Sequence, residues 1–140
     1  MYKNILIPLD NSPTDQTILK HIRPLAKLTG AGLVLAHVAD GYAARLKEQL
    51  NLDDSEEIKK DRQYLESVKS ELIKEGHHVK THLAMGEPSD QILNIAQEEQ
   101  CDLIAMSTHG HRFLQDLILG SVADKLRHRT DIPILMIRGK

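Results

Sequence analysis

The chain has 140 residues, 18 Lys and Arg against 20 Asp and Glu, and a formal net charge of −2. That length fits one domain with room for a real core, and the near-neutral balance leaves no electrostatic footprint for nucleic acid or an anionic membrane. A single cysteine, Cys101, rules out an internal disulfide framework and suits a reducing compartment. Its expected role is packing where a strand begins, since no neighbouring residue would activate the thiol. Met1-Tyr2-Lys3-Asn4 leads straight into Ile5-Leu6-Ile7, too short a lead for a signal peptide or a membrane span. A cytoplasmic protein is expected.

Strand-like and helix-like periods alternate along the chain. Ile5-Leu6-Ile7-Pro8-Leu9 is a short apolar run closed by Asp10-Asn11-Ser12-Pro13, and reads as the first strand. Ser12 is expected to cap the next helix, with Pro13 at its first position and Asp15 reaching back in a capping box. Ile18, Ile22, Leu25 and Leu28 repeat at helical spacing until Thr29-Gly30, and Pro24 among them predicts a kink or a locally missing hydrogen bond. Leu33 to Val38 is the second strand. The polar stretch from Ala39 to Ser55 is least constrained, with Ala43 to Leu50 as a short helix inside it. Ile58, Leu65, Val68 and Leu72 define a longer helix that stops near Gly76.

From His78 to Met85 the pattern alternates in part, with Val79, Thr81 and Leu83 on one face, as in a third strand. Gly86-Glu87-Pro88-Ser89 then turns into a helix carrying Ile92, Leu93 and Ala96. Asp102 to Met106 is the fourth strand, Val122 to His128 a helix, and Pro133 to Ile137 a short fifth strand. Five apolar strands separated mostly by helices predict one α/β domain over residues 1–140, with a parallel sheet covered on both faces. Right-handed crossovers make it doubly wound.

In such sheets ligands bind beyond the carboxyl ends of the strands, at the switch point in strand order. Two polar loops fall there: Pro8-Leu9-Asp10-Asn11 after the first strand, and Ser107 to Gly120 after the fourth. The second carries Gly110 and then Gly120-Ser121 before a helix. Bare glycine backbone lets amides approach phosphate oxygens, so this loop is read as holding the phosphates of a nucleotide. It is not a Walker A element, because no Gly-Lys-Ser/Thr follows its glycines, nor the dinucleotide fingerprint, whose glycines directly follow the first strand. Taken by spacing alone, Gly110 as a turn residue and Gly120-Ser121 as a plain helix start is an equally good reading.

The chain resembles the universal stress protein family from end to end. Ile5-Leu6-Ile7-Pro8-Leu9-Asp10 is similar to the family's first strand and acidic loop, Gly30-Ala31 to His37-Val38 to its second strand, and Gly86-Glu87-Pro88 to the turn before the third main helix. Asp102 to Gly110 followed by Leu119-Gly120-Ser121-Val122 resembles the signature of the ATP-binding branch, Gly-x2-Gly-x9-Gly-Ser/Thr. Ser107 stands at its first glycine, keeping the backbone amide and adding a hydroxyl. Pro133-Ile134-Leu135 resembles the last strand.

The resemblance implies a Rossmann-like sheet of order 3-2-1-4-5 and an ATP or AMP ligand, with Mg²⁺ or Mn²⁺ carried by the phosphates. Asp10 and the backbone of Pro8 and Leu9 would contact adenine and ribose, and Val38 would line the adenine pocket. Met106, Ser107, His109 and Gly110 would lie along the ribose and phosphates. Gly120, Ser121 and Val122 would donate amides, and Ser121 its hydroxyl, to phosphate oxygens. Taken singly, Asp10 also reads as a turn residue and Val38 and Met106 as core residues.

His77-His78 and His82 cluster near the third strand, but neighbours on a strand point to opposite faces and no nearby carboxylate or cysteine completes a ligand set. Solvated surface histidines are expected, and no metal ligand is assigned. Flanking Gly110, His109 or His111 is within reach of a phosphate, and Arg112 suits either a phosphate contact or an exposed position. With no evident residue to position an attacking water, and Asp102 at the far end of its strand, no catalytic residue is assigned; any ATPase activity would be slow. The function the resemblance implies is an adenine-nucleotide-binding stress-response or signalling protein acting as a dimeric switch. Its homodimer would pair the last strand, Pro133 to Ile137, with its two-fold mate, since that strand is otherwise an apolar sheet edge. The alternative is a dimeric interaction module without nucleotide, or a slow ATPase. The charged segment from Ala39 to Lys60 suits either a cover over the nucleotide or a partner contact.

Overall fold

Ile5, Leu6 and Ile7 are all fully buried, as are their neighbours Leu33 to Ala36. Only a strand with helices over both faces of its sheet hides consecutive side chains in this way. The computed structural model describes residues 1–39, 56–109 and 122–139. Its strands are β1 (Asn4–Pro8), β2 (Gly32–Ala39), β3 (Val79–Met85), β4 (Leu103–His109) and β5 (Ile134–Gly139). Its helices are α1 (Asp15–Thr29), α2 (Glu56–Lys74), α3 (Pro88–Glu98) and the helical residues 122–127, termed α4. All strands are parallel, in the order β3-β2-β1-β4-β5. The expected doubly wound sheet and strand order are therefore those found.

Alternation along each strand divides the core. Ile5, Ile7, Leu33, Leu35, Leu103 and Ala105 pack under Ile18, Leu19 and Ile22 of α1 and Leu65, Val68 and Leu72 of α2. Leu6, Val34, Ala36, Ile104 and Met106 pack on the other face against Ile92, Ile95 and Ala96 of α3 and Val122, Ala123 and Leu126 of α4. Arg129, just past α4, reaches Asp90 of α3 at 2.7 Å, and Lys125 lies 3.5 Å from Glu87. Among the described residues no helix is long and apolar enough to cross a membrane.

Several local expectations are corrected. Ser12 does not cap α1: Thr14 occupies the N-cap with helical backbone angles and makes no side-chain cap bond. Asp15 does reach back, but beyond the capping-box position, to the amides of Asp10 and Asn11. The helix continues through Pro24, which, having no N–H, leaves the Lys20 carbonyl without its usual partner. Gly30 ends α1 in the left-handed region, at φ 73°.

β4 runs three residues beyond the expected Met106. Ser107, Thr108 and His109 pair in register with Ile137, Arg138 and Gly139 of β5, so the ladder takes up residues whose polarity suggested a loop. The expected helix from Ala43 to Leu50 lies outside the described residues.

Of the histidines near β3, His77 and His82 differ from expectation. Gly76 turns the chain at φ 97°, and the His77 amide bonds back to the Leu72 carbonyl, tucking the ring inward. Its side chain is 4% exposed rather than solvated. His78 is exposed, while His82 lies 3.6 Å from Glu99.

Candidate functional site

β1 and β4 are neighbours whose connections lead to opposite sides of the sheet, which places the switch point at their C-terminal ends. At the end of β1, Pro8 and Leu9 are buried. The Leu9 amide donates to the Ala36 carbonyl at 2.7 Å, and the Leu9 carbonyl accepts from His37 Nδ1 at 2.8 Å. His37 Nε2 in turn lies 3.0 Å from Asp61 Oδ2 of α2, and Asn11 Nδ2 donates to Asp61 Oδ1 at 3.3 Å.

The next residues turn on a buried carboxyl group. Asp15, 1% exposed, accepts from the Asp10 amide at 3.2 Å and the Asn11 amide at 2.9 Å. Tyr64 of α2 donates its hydroxyl to the same group at 2.6 Å. These bonds hold Asn11 in the left-handed region, at φ 60°. Ser12 donates its hydroxyl to Asp10 at 2.5 Å and lies 2.7 Å from the Thr14 hydroxyl. Burial, joined by the adjacent Asp10 carboxylate, pushes the Asp15 carboxyl up to about 7 against the opposing Tyr64 hydrogen bond. Burial and then Asp15 push the Tyr64 phenol well above its ordinary value.

On the other side of the switch point, Met106 is fully buried on the α3/α4 face, with Val122 in the same cluster and Val38 packed against it. Ser107 is 2% exposed, and alternation turns it toward the α1/α2 face. The structure thus brings Val38, Met106 and Val122 together, and sets Pro8, Leu9 and Asp10 on the adjacent strand end. Of His109 only the backbone is described, at the end of β4. Gly110, His111, Arg112, Gly120 and Ser121 lie outside the described residues. Asp102 is at the opposite end of the sheet, accepting from the amides of Lys3 and Asn4.

His37, Asp61 and Tyr64 are absent from the sequence-derived site. A signal was present: Asp61 interrupts the apolar stripe of Ile58, Leu65, Val68 and Leu72, and Tyr64 lies three residues further along. Cys101 is buried, and burial, then Glu99 and Asp102, push its thiol up to about 11, so it stays protonated. Among the described residues no group of three or more His, Cys, Asp or Glu side chains is placed to hold a metal ion.

A doubly wound parallel sheet with an acidic loop after β1 and its switch point between β1 and β4 defines a Rossmann-like α/β protein. The sequence profile of the universal stress protein family matches residues 1–138, and the chain belongs to that family. It is 29% identical over 157 aligned positions to the universal stress protein MJ0577 of Methanocaldococcus jannaschii, covering 100% of this chain and 97% of that one. The solved structure of MJ0577 superposes with a TM-score of 0.84 at 32% identity, covering 100% of this chain and 98% of the other. A universal stress protein from Archaeoglobus fulgidus, solved in complex with dAMP, shares the fold at 23% identity and a TM-score of 0.72, with 97% and 98% of the two chains covered.

Proposed function

We propose that this chain binds an adenine nucleotide, ATP or AMP, and acts as a dimeric switch in stress response or signalling. The observation that carries this reading is the hydrogen-bonding inventory of the loop after β1. Pro8 has no N–H, and the amides of Leu9, Asp10 and Asn11 are already bonded to Ala36 and Asp15. What the loop turns to a ligand is therefore acceptor in character: the Asp10 carboxylate, which also takes the Ser12 hydroxyl, and the Leu9 carbonyl, which also takes His37. Acceptors suit the amino group of adenine and the hydroxyls of ribose, and they repel phosphate.

Phosphates then belong on the far side of the switch point. Gly110, Gly120, Ser121 and Val122 would supply amides to them, and Ser121 its hydroxyl, with His109 alongside, as the family signature implies. Val38 lines the adenine side, while Met106 and Ser107, buried in β4, form the floor. A protein of the same fold solved with dAMP supports the choice of ligand. Mg²⁺ or Mn²⁺ would ride on the phosphates and need few protein ligands. The role is binding and switching rather than turnover, with at most slow ATP hydrolysis. Homodimer formation through β5 is supported by Met136, which is 50% exposed on an edge strand flanked among the described residues only by β4.

The test is nucleotide carried by the purified protein, released and identified by reversed-phase chromatography. AMP or ATP is expected, and Gly120→Val should remove it by blocking amide approach. Wild-type protein that shows no ATP or AMP binding in calorimetry overturns the proposal and leaves the interaction-module reading.

A further inference from the structure

We propose that Asp15, held by Tyr64 of α2, is a positioning residue that sets the backbone of Asp10 and Asn11 and so the shape of the loop that meets adenosine. This rests on the nucleotide reading above. Three donors converge on the two Asp15 oxygens: the amides of Asp10 and Asn11 and the Tyr64 hydroxyl. No regular ladder fixes these loop residues, and Asn11 sits in a region that residues with a Cβ seldom occupy. Remove the carboxylate and two buried amides lose their acceptor, so the loop has reason to rearrange.

The surrounding groups make this hold depend on protonation. Asp10 faces Asp15 from the loop, and Tyr64 faces it from α2 with Glu71 acting on the phenol from the same helix. His37 of β2 and Asp61 of α2 meet the same loop at Leu9 and Asn11. A carboxylate accepts at both oxygens, whereas the acid must spend one position on its own proton. Deep burial brings that protonation into the neutral range, so nucleotide affinity should rise with pH there as the carboxylate forms.

Two measurements on the full chain test this. In amide NMR titrations of nucleotide-free protein, Asp10 and Asn11 should shift together with one midpoint, and Asp15→Asn should abolish that titration. In calorimetry with AMP, Asp15→Asn should weaken binding about tenfold on the alkaline side of that midpoint, with the difference narrowing on the acid side. Tyr64→Phe, which removes one donor and keeps the ring, should move the shared midpoint upward and serves if Asp15→Asn does not fold. Wild-type affinity and pH profile in both variants overturn the positioning role while leaving nucleotide binding intact. Wild-type protein that binds neither AMP nor ATP overturns the binding reading and the nucleotide half of this one. The amide titration then still decides whether Asp15 holds the loop.

Discussion

The hydroxyl of Tyr64 donates a 2.6 Å hydrogen bond to Asp15 across 49 positions of sequence, joining α2 to the start of α1 beneath the loop after β1. The carboxyl group it meets is buried, and its pKa is raised from 3.8 to about 7. A raised folded-state value means the native state holds the proton more tightly than the unfolded chain. The resulting stabilisation is fully present below the unfolded value and is lost as pH rises through the folded one. Between those two values the contribution of Asp15 to unfolding free energy should fall by up to about 1.4 kcal/mol per pH unit. Denaturant titrations of wild type and Asp15→Asn over that window should show the excess slope in wild type alone. Parallel curves would refute it.

Glu87 caps α3 and behaves in the opposite sense. Its carboxylate accepts from the Ser89 hydroxyl at 2.6 Å and the Asp90 amide at 2.8 Å, and these bonds, that of Ser89 first, lower its pKa from 4.5 to about 2. The stabilisation is present above 4.5 and is lost as pH falls toward 2. Glu87→Ala should cost about 0.5–2 kcal/mol at neutral pH, the usual range for a lost N-cap. The gap between the thermal melts of the two proteins should close on acidification.

Gly139 allows the end of β5 to lie against Thr14. A Cβ built at Gly139 would sit 2.6 Å from Thr14 Cγ2, 2.8 Å from Thr14 Cβ and 3.2 Å from the Thr108 carbonyl. Gly139→Ala should therefore destabilise by about 1–3 kcal/mol through overpacking. Thr14→Ala, which removes Cγ2 and leaves Cβ, should recover part of that loss. Equal cost of Gly139→Ala in both backgrounds, read from denaturant midpoints, would rule out the contact as the cause.

Met136 is half exposed on the strand edge that the dimer would use. A charge placed there opposes edge pairing without disturbing the buried faces. Met136→Lys is expected to give a monomer by light scattering with an unchanged circular dichroism spectrum. A variant that stays dimeric would exclude pairing through β5.

Much of this arrangement is legible in the residues because it is periodic. The continuous apolar runs Ile5 to Ile7 and Leu33 to Ala36, with the helical spacing of Ile18, Ile22, Leu65, Val68 and Leu72, already imply a parallel sheet covered on both faces. The helix after Gly86 follows from Pro88, although its cap is the Glu87 side chain, a less usual choice than Ser or Asp. Ser107 is harder to read. Beside two glycine positions it suggests a loop, yet β5 offers paired backbone as far as Gly139, and the ladder continues through it. His77 misleads in the same way: a polar residue after a helix reads as surface until the Gly76 turn folds it back on Leu72.

By itself, the sequence determined the order of the described elements and the doubly wound fold. Each of these depends on repeats over a few residues, which hydrophobic burial converts directly into faces. Only the tertiary structure decided that Asp15 belongs with Tyr64, that His37 bridges Leu9 and Asp61, and that the amides of the β1 loop are already taken. Those pairings depend on where α2 settles over β2 and β3. That placement comes from packing between distant segments, and no local pattern specifies which polar atoms it brings within bonding distance.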